Sequence, residues 1–258
     1  MGTYRRSTVI DTANDPDKLH HCAEQLTQGL LPTGWELVNS SAYARVAYSP
    51  QRQLYYKEFL PRSPAESLKA LVRGSRATRA RNNGNALLQA GINAPANIAW
   101  GKLPEGREYL FMQSAPGQGI TQWLRVTLVE RNGEQLQQRR QLLRALGTFI
   151  GRVHATGFIH GDLRPGNVLA VLEQGHFHFT LIDNERNVQK IPPPGKMLLR
   201  NLMQLNMLLP SDISRSDRMR FFTAWCRQMR EWSPLEAKIL GAQAYLWAMR
   251  RLREKGQL

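Results

Sequence analysis

The stretch His160-Gly-Asp-Leu-Arg-Pro-Gly-Asn167, followed sixteen residues later by Leu181-Ile-Asp183, constrains this chain more than any other feature. It sets one loop carboxylate, Asp162, at fixed spacing from two further hard oxygen donors, Asn167 and Asp183. A carboxylate in such a loop can accept the proton of an attacking hydroxyl, and oxygen donors of this kind suit Mg²⁺. Arg164, two residues after Asp162, is a second catalytic candidate. The flanks fit this chemistry. Residues 168–171 form a short apolar strand, 173–175 a turn, and 177–182 a second strand that delivers Asp183 at its end.

The pattern has the form of the protein-kinase catalytic loop, H-x-D-L-x-x-x-N, followed by the metal-binding Asp. In that chemistry Asp162 is the base, and Asn167 and Asp183 hold the magnesium ions that bridge the phosphates of ATP. The remaining periodicities fit the same architecture. Asn14-Asp15-Pro16-Asp17 starts a helix whose apolar face is Leu19, Cys22, Ala23, Leu26 and Leu30, with Gly34 as its end. Residues 35–48 give two strands joined near Asn39-Ser40-Ser41, and 54–57 a third. A helix over 67–90 ends at Gly91, and strands at 97–103 and 108–112 flank a turn at 104–106. Beyond these the chain is mostly helical, over 134–156, 198–209, 216–232 and 234–253. The expected fold is α+β and bilobal, protein-kinase-like, with a small antiparallel-sheet N-lobe and a helical C-lobe. The expected divisions are an N-terminal helical extension (1–34), an N-lobe (35–113) and a C-lobe carrying the catalytic loop (114–258).

Such a fold calls for a phosphate-neutralising lysine on the third strand, and Lys57 stands there. The chain has no G-x-G-x-x-G, but Ser40 and Ser41 are small enough for backbone N–H groups to approach a phosphate. Met112 and Ser114 open the segment expected to link the lobes, where adenine meets backbone. Two protein-kinase features are absent. Gly161 replaces the Arg that pairs with a phosphorylated activation loop, and Asp183-Asn-Glu-Arg186 replaces Asp-Phe-Gly. A protein-substrate groove is therefore not expected.

Charge and cysteine content narrow the setting. The 258 residues carry 35 Lys and Arg against 20 Asp and Glu, a formal charge of +15. Such a surface attracts polyanions. Its clusters lie at Arg73–Arg81, at Arg139, Arg140 and Arg144, at Arg215, Arg218 and Arg220, and at Arg250–Lys255. No nucleic-acid module signature accompanies them, so no nucleic acid is expected as a partner. Neither a membrane-spanning run nor a secretory signal is expected, and the two distant cysteines, Cys22 and Cys226, suit a reducing, cytoplasmic compartment. His20 and His154 read as helix residues rather than ligands, His176 and His178 share one strand face without the further ligands a metal site needs, and the tryptophans at 225, 232 and 247 read as core or lobe-packing residues. The last helix is expected either to pack on the large lobe or to lie on a membrane surface.

Taken together, His160–Asn167 with Leu181-Ile-Asp-Asn-Glu-Arg186 resembles the lipopolysaccharide core kinases of Gram-negative bacteria, the heptose and Kdo kinases. Ser75-Arg-Ala77, Ala90-Gly-Ile92, Arg200-Asn-Leu202 and Ser216–Trp225 extend the resemblance over roughly residues 35–232. It implies an ATP- and Mg²⁺-dependent kinase acting on a sugar hydroxyl of the lipopolysaccharide core, an anionic glycolipid, at the inner face of the inner membrane. It implies peripheral contact with that anionic surface as well. Two positions depart from the family. The helix Glu that would pair with Lys57 falls at Ala80, leaving Asn82, Asn83 or Glu66 as substitutes, and the family's Asp in Arg-Asp-Leu is Asn201. Two alternatives stay open: a small-molecule hydroxyl kinase of the aminoglycoside or choline type, and a non-catalytic pseudokinase adaptor.

Overall fold

The computed structural model describes residues 14–61 and 74–258. The chain divides into two compact units, one from Met1–Thr78 with Ala96–Ser114, the other from Arg79–Pro95 with Ala115–Leu258.

In the first unit, helix α1 (Pro16–Thr27) starts where Asp15 accepts a hydrogen bond from the Asp17 N–H at 3.0 Å. It ends seven residues before Gly34, because Gly29 takes φ 82°. The Leu30 N–H then donates to the Gln25 carbonyl and the Gly29 N–H to that of Leu26. That pattern closes a helix at a left-handed glycine, and it leaves Leu30 58% exposed rather than on the apolar face. The sheet is antiparallel throughout. Its strands are β1 (Glu36–Val38), β2 (Ala44–Ser49), β3 (Leu54–Phe59), β4 (Asn97–Lys102) and β5 (Glu108–Gln113), in the order β1-β2-β3-β5-β4. Side chains alternate across a strand. Leu54 and Tyr56 of β3 therefore join Leu19, Ala23 and Leu26 of α1, with Trp35 and Phe111, in one core. Each large apolar side chain buried there contributes roughly 1.5–3 kcal/mol.

Helix α2 (Arg76–Gln89) starts behind Ser75, whose Oγ accepts from the Thr78 N–H at 3.0 Å. Residues 62–73, including Glu66 and most of the start expected at 67, lie outside the described residues. The helix closes at Gly91, with the Ile92 N–H on the Leu87 carbonyl.

The second unit holds the long helix α3 (Gly133–Ala155) and two small antiparallel sheets. One sheet orders β6 (Gln118–Gly119), β8 (Val168–Glu173) and β9 (His176–Leu181), and the other pairs β7 (Phe158–Ile159) with β10 (Val188–Gln189). Helices α4 (Gly195–Leu205), α5 (Arg215–Cys226) and α6 (Pro234–Glu254) complete it. The first two are shorter than their apolar spacing suggests. Ser214 and Ser233 form reciprocal capping boxes with Asp217 and Glu236, which set the starts of α5 and α6. Helix α3 buries Leu142, Leu143, Leu146, Phe149, Ile150 and Val153. It meets the α5 segment closely at two glycines. A Cβ on Gly147 would stand 2.2 Å from the Phe221 carbonyl oxygen, and one on Gly151 2.6 Å from Gln228 Cβ. Either alanine would force the two segments apart.

Candidate active site

The second unit gathers Asp162, Arg164, Asn167 and Asp183. His160, which opens the loop, is buried and bonds in two directions. Its Nδ1 accepts from the Asp162 N–H at 3.0 Å, and its Nε2 meets the Ile182 carbonyl at 3.0 Å. An imidazole that accepts at one nitrogen and donates at the other is neutral. Burial lowers its pKa, in keeping with this, against the hydrogen bond to Ile182 and the charges of Asp183 and Asp162. The Ile182 N–H donates to the Asn167 carbonyl at 3.0 Å. Residue 182 is thus clamped to both ends of the loop, which draws Asp183 toward Asn167. Asp183 itself takes φ 60°, ψ 50°, a left-handed conformation that aspartate tolerates better than most residues.

Within the loop, Asn167 donates from Nδ2 to the Asp162 carbonyl at 2.8 Å. Its amide is thereby oriented, with Oδ1 as the oxygen left to offer. Arg164 Nε lies 2.9 Å from both carboxylate oxygens of Asp162, and an Nη2 donor adds a further short contact to Oδ2. The guanidinium is 66% exposed and the carboxylate 18%. Hydrogen bonding to Asp162 raises the Arg164 pKa, opposed by partial burial and helped by the charges of Asp162 and Asp183. Both carboxylates act on His160 and on Arg164, so they share one electrostatic site.

Sequence reasoning missed the frame that holds this loop. Asn201 on α4 is buried and uses its whole amide. Its Oδ1 accepts from the His160 N–H at 3.0 Å and faces His154 Nε2 at 3.2 Å. Its Nδ2 donates to the His160 carbonyl at 2.6 Å and to Gln204 Oε1 at 3.4 Å. Gln204 accepts from the Leu163 N–H at 3.0 Å and donates to Asp162 Oδ1 at 3.3 Å. Behind them, Trp225 Nε1 donates to His154 Nδ1 at 3.0 Å. His154 therefore carries its proton on Nε2 and gives it to Asn201. Burial pushes His154 down to about 4, against its bond to Asn201 and together with the charge of His160. The chain from Trp225 to Asp162 is satisfied at every link, as a buried polar network must be to rigidify rather than destabilise.

The residues at 201 and 161 have separate local reasons. Asn201 accepts from the N–H and donates to the carbonyl of one residue, which an ionised carboxylate cannot do. Gly161 is required because a Cβ there would lie 2.1 Å from Arg186 Cβ and 2.5 Å from the Arg186 carbonyl oxygen. The Gly161 N–H meets Asn187 Oδ1 at 3.3 Å. Asn83, a suggested substitute for the helix Glu, donates its amide to the carbonyls of Asn184 (2.9 Å) and Asn187 (3.0 Å). Glu185 is buried and faces Arg79 at 3.8 Å. The segment after Asp183 is thus pinned by its own unit.

Lys57, Ser40, Ser41, Met112 and Ser114 belong to the first unit. Lys57 pairs in register with Val46 and Leu110, on the sheet face opposite the α1 core, and its Nζ lies 5.3 Å from the Phe59 ring centre. Glu58, its neighbour, faces the other way and is fully buried. It accepts from Thr27 Oγ1 at 2.7 Å and from Arg45 and Arg107 at 3.2 Å each. Tyr56 Oη adds a bond at 3.3 Å, and burial followed by the Glu58 charge raises the Tyr56 pKa. Ser40 Oγ donates to the Ala44 carbonyl at 2.7 Å, and Ser41 Oγ accepts from the Tyr43 N–H at 3.4 Å. Met112 lies in β5 opposite Tyr55, and the Ser114 N–H is taken by the Gln53 carbonyl at 2.7 Å.

His176 and His178 are both exposed on one face of β9, away from the buried Phe177 and Phe179. Among the described residues no group of three or more His, Cys, Asp or Glu side chains could hold a metal alone. A carboxylate and an amide oxygen, Asp183 and Asn167, fit a hard cation that keeps water and phosphate ligands, as Mg²⁺ does.

One known protein family matches most of the chain. The model of the lipopolysaccharide kinase (Kdo/WaaP) family matches residues 39–225. A solved structure of WaaP in complex with acyl carrier protein superposes with a TM-score of 0.60 at 17% identity, covering 90% of this chain and 92% of that one. A crystal structure of WbdD gives 0.49 at 21% identity over 83% of this chain and 45% of that one. The kinase domain of Mycobacterium tuberculosis PknI, solved as a point mutant, gives 0.46 at 16% identity over 82% and 96%. Among curated proteins compared by sequence, none matches.

Proposed function

Because the chain belongs to the lipopolysaccharide kinase (Kdo/WaaP) family, a family of phosphotransferases acting on sugar hydroxyls, we propose that it transfers the γ-phosphoryl group of ATP to a heptose or Kdo hydroxyl of the lipopolysaccharide core. The observation that carries this reading is the locked loop, in which Asp162, Asn167 and Asp183 are brought together by His160, Asn201 and Gln204.

In this reading Asp162 accepts the proton of the attacking sugar hydroxyl, and Arg164 orients its carboxylate until the acceptor arrives. Asn167 Oδ1 and the Asp183 carboxylate would hold Mg²⁺, which neutralises charge on the phosphates when bound. In the same reading Lys57 would neutralise the α- and β-phosphates, and the backbone N–H groups of Ser40 and Ser41 would serve them as well. Adenine would meet the backbone near Met112 and Ser114. With the Ser114 N–H already donated to Gln53, that residue offers its carbonyl.

The acceptor places the work at the inner face of the inner membrane, and peripheral contact with that anionic surface is part of the proposal. Helix α6 supports it. Leu235 (67% exposed), Ile239 (49%) and Leu246 (64%) form an apolar stripe on its outer face, continued by exposed Arg250 and Arg253. An apolar stripe beside basic residues suits a helix lying in a bilayer interface. No helix among the described residues is long and apolar enough to cross a membrane.

The test is mass spectrometry of core oligosaccharide from a strain with and without the gene. Loss of one phosphate from one heptose or Kdo supports the reading. An unchanged core, with purified protein that binds ATP but phosphorylates no core saccharide, contradicts it and favours a pseudokinase.

A further inference from the structure

Two of the arginine clusters that look scattered in the sequence meet on the surface of the second unit. Helices α3 and α5 flank a hollow of about 670 Å³, whose walls carry Arg140 and Arg144 from α3, and Arg220 with Ser216 and Thr223 from α5, with Arg227 just beyond its end. Four guanidinium groups and two hydroxyls thus line it, and among the described residues no carboxylate does.

Neighbouring arginines of the same clusters turn inward and are neutralised or capped. Arg139 is buried on Asp217 at 3.1 Å and on the carbonyls of Leu128 and Asp212. Arg218 donates to Asn206 and Leu208. Arg220 reaches Asp217 Oδ1 at 2.9 Å, but that carboxylate already serves Arg139. The other three hollow arginines differ. Among the described residues Arg140, Arg144 and Arg227 form no ion pair. Among those residues Arg144 donates only to the neutral Arg140 carbonyl, at 3.2 Å. Arg140 Nε is buried with no hydrogen-bond partner among the described residues.

Like charges at i and i+4, as at Arg140 and Arg144, weaken a helix, and a buried guanidinium donor without a partner is costly. A phosphate-bearing group relieves the repulsion, because its oxygens accept forked hydrogen bonds from several guanidiniums at once. The walls stand on two helices locked together at Gly147 and Gly151, so the arginines are held on a rigid frame. The hollow is not the catalytic loop. Arg140 lies fourteen residues before His154 on the same helix, about 21 Å along its axis.

We propose that this hollow is an anion site for a phosphate-bearing group, a phosphomonoester or phosphodiester, separate from the phosphoryl-transfer site. The binding does not depend on catalysis.

The test is calorimetric titration with inorganic pyrophosphate, with a non-hydrolysable ATP analogue and Mg²⁺ added to block the nucleotide site. The parent should bind one pyrophosphate, and Arg144→Ala with Arg227→Ala should weaken binding at least tenfold. Both side chains are exposed, so the variant should melt near the parent's temperature. Arg250→Ala with Arg253→Ala removes the same charge elsewhere and should leave pyrophosphate affinity within about twofold. Absence of binding by the parent, unchanged affinity in the hollow variant, or equal loss in the α6 variant would each overturn the proposal.

Vesicles of phosphatidylcholine with and without phosphatidylglycerol identify the source of the phosphate. Loss of vesicle binding in the hollow variant assigns it to lipid headgroups. Vesicle binding kept while pyrophosphate binding is lost assigns it to a sugar-borne or soluble phosphate. Both results support the site.

Discussion

Each unit holds a carboxylate gripped by arginine, and the two are built for opposite ends. Glu58 in the first unit is fully buried, between Arg45, Arg107, Thr27 and Tyr56. Every lone pair is engaged, and no partner can leave without stranding a buried charge. Asp162 in the second unit is partly open, and its arginine is two-thirds exposed. That pair can separate into water at little cost, while the loop beneath it cannot move because Asn201, Gln204 and His160 hold it. The same chemical pair is closed in where its whole surroundings are buried and open to solvent where only its scaffold is.

The comparison is most easily broken at Glu58. Glu58→Ala removes one side of a buried ion cluster, which typically costs about 3–5 kcal/mol. The chemical-denaturation midpoint should fall accordingly, and a change below about 1 kcal/mol would mean that the cluster is solvated.

The second test is acid. His154 is neutral in the folded protein with its pKa pushed down to about 4, from an ordinary value near 6.5. The unfolded chain therefore binds more protons between those values. The His154 contribution is fully present above pH 6.5 and is lost as pH falls toward 4, by roughly 3 kcal/mol at the limit. Asp217 adds a later loss. Burial alone would raise its pKa, but hydrogen bonds from Arg139 and Ser214 hold it below the ordinary carboxylate value. Its stabilisation is present above that ordinary value and disappears as pH falls through the lowered one. His154→Gln should flatten stability between pH 6.5 and 4, and an unchanged slope would remove His154 from the account.

Asn201→Asp sharpens the role of the scaffold. A carboxylate cannot donate to the His160 carbonyl, so that bond becomes a repulsion costing about 1–3 kcal/mol. Turnover should fall by about tenfold or more with ATP affinity kept. If turnover is unchanged, the amide is not what holds the loop.

Much of this was legible in the sequence, and the failures share a cause. The 160–167 loop, the β8–β9 hairpin and α3 came from local spacing, and local hydrogen bonding and packing decide them. The end of α1 did not, because Gly29 and Gly34 are equally good stops and only the Leu30–Gln25 bond chooses between them. Asn201 looked like the loss of a family carboxylate. Its meaning depends on His154, His160 and Trp225, which lie up to 71 residues apart (225 − 154). Glu58 left a faint signal, a charged residue in phase with Leu54 and Tyr56 on a strand that buries that phase.

The smallest stability effect belongs to Arg164→Ala. An exposed ion pair contributes about 0–1 kcal/mol, so the melting temperature should barely move, in contrast with Glu58→Ala. A large drop would make Arg164 part of the scaffold.

The most direct test of the central claim is Asp162→Ala in purified protein, with phosphate transfer to core oligosaccharide, ATP binding and melting temperature measured side by side. Turnover should fall by roughly 10²-fold or more, as loss of a general base does, while ATP affinity and melting temperature stay close to those of the parent. Near-native turnover in this variant would contradict the assignment of Asp162 as the base.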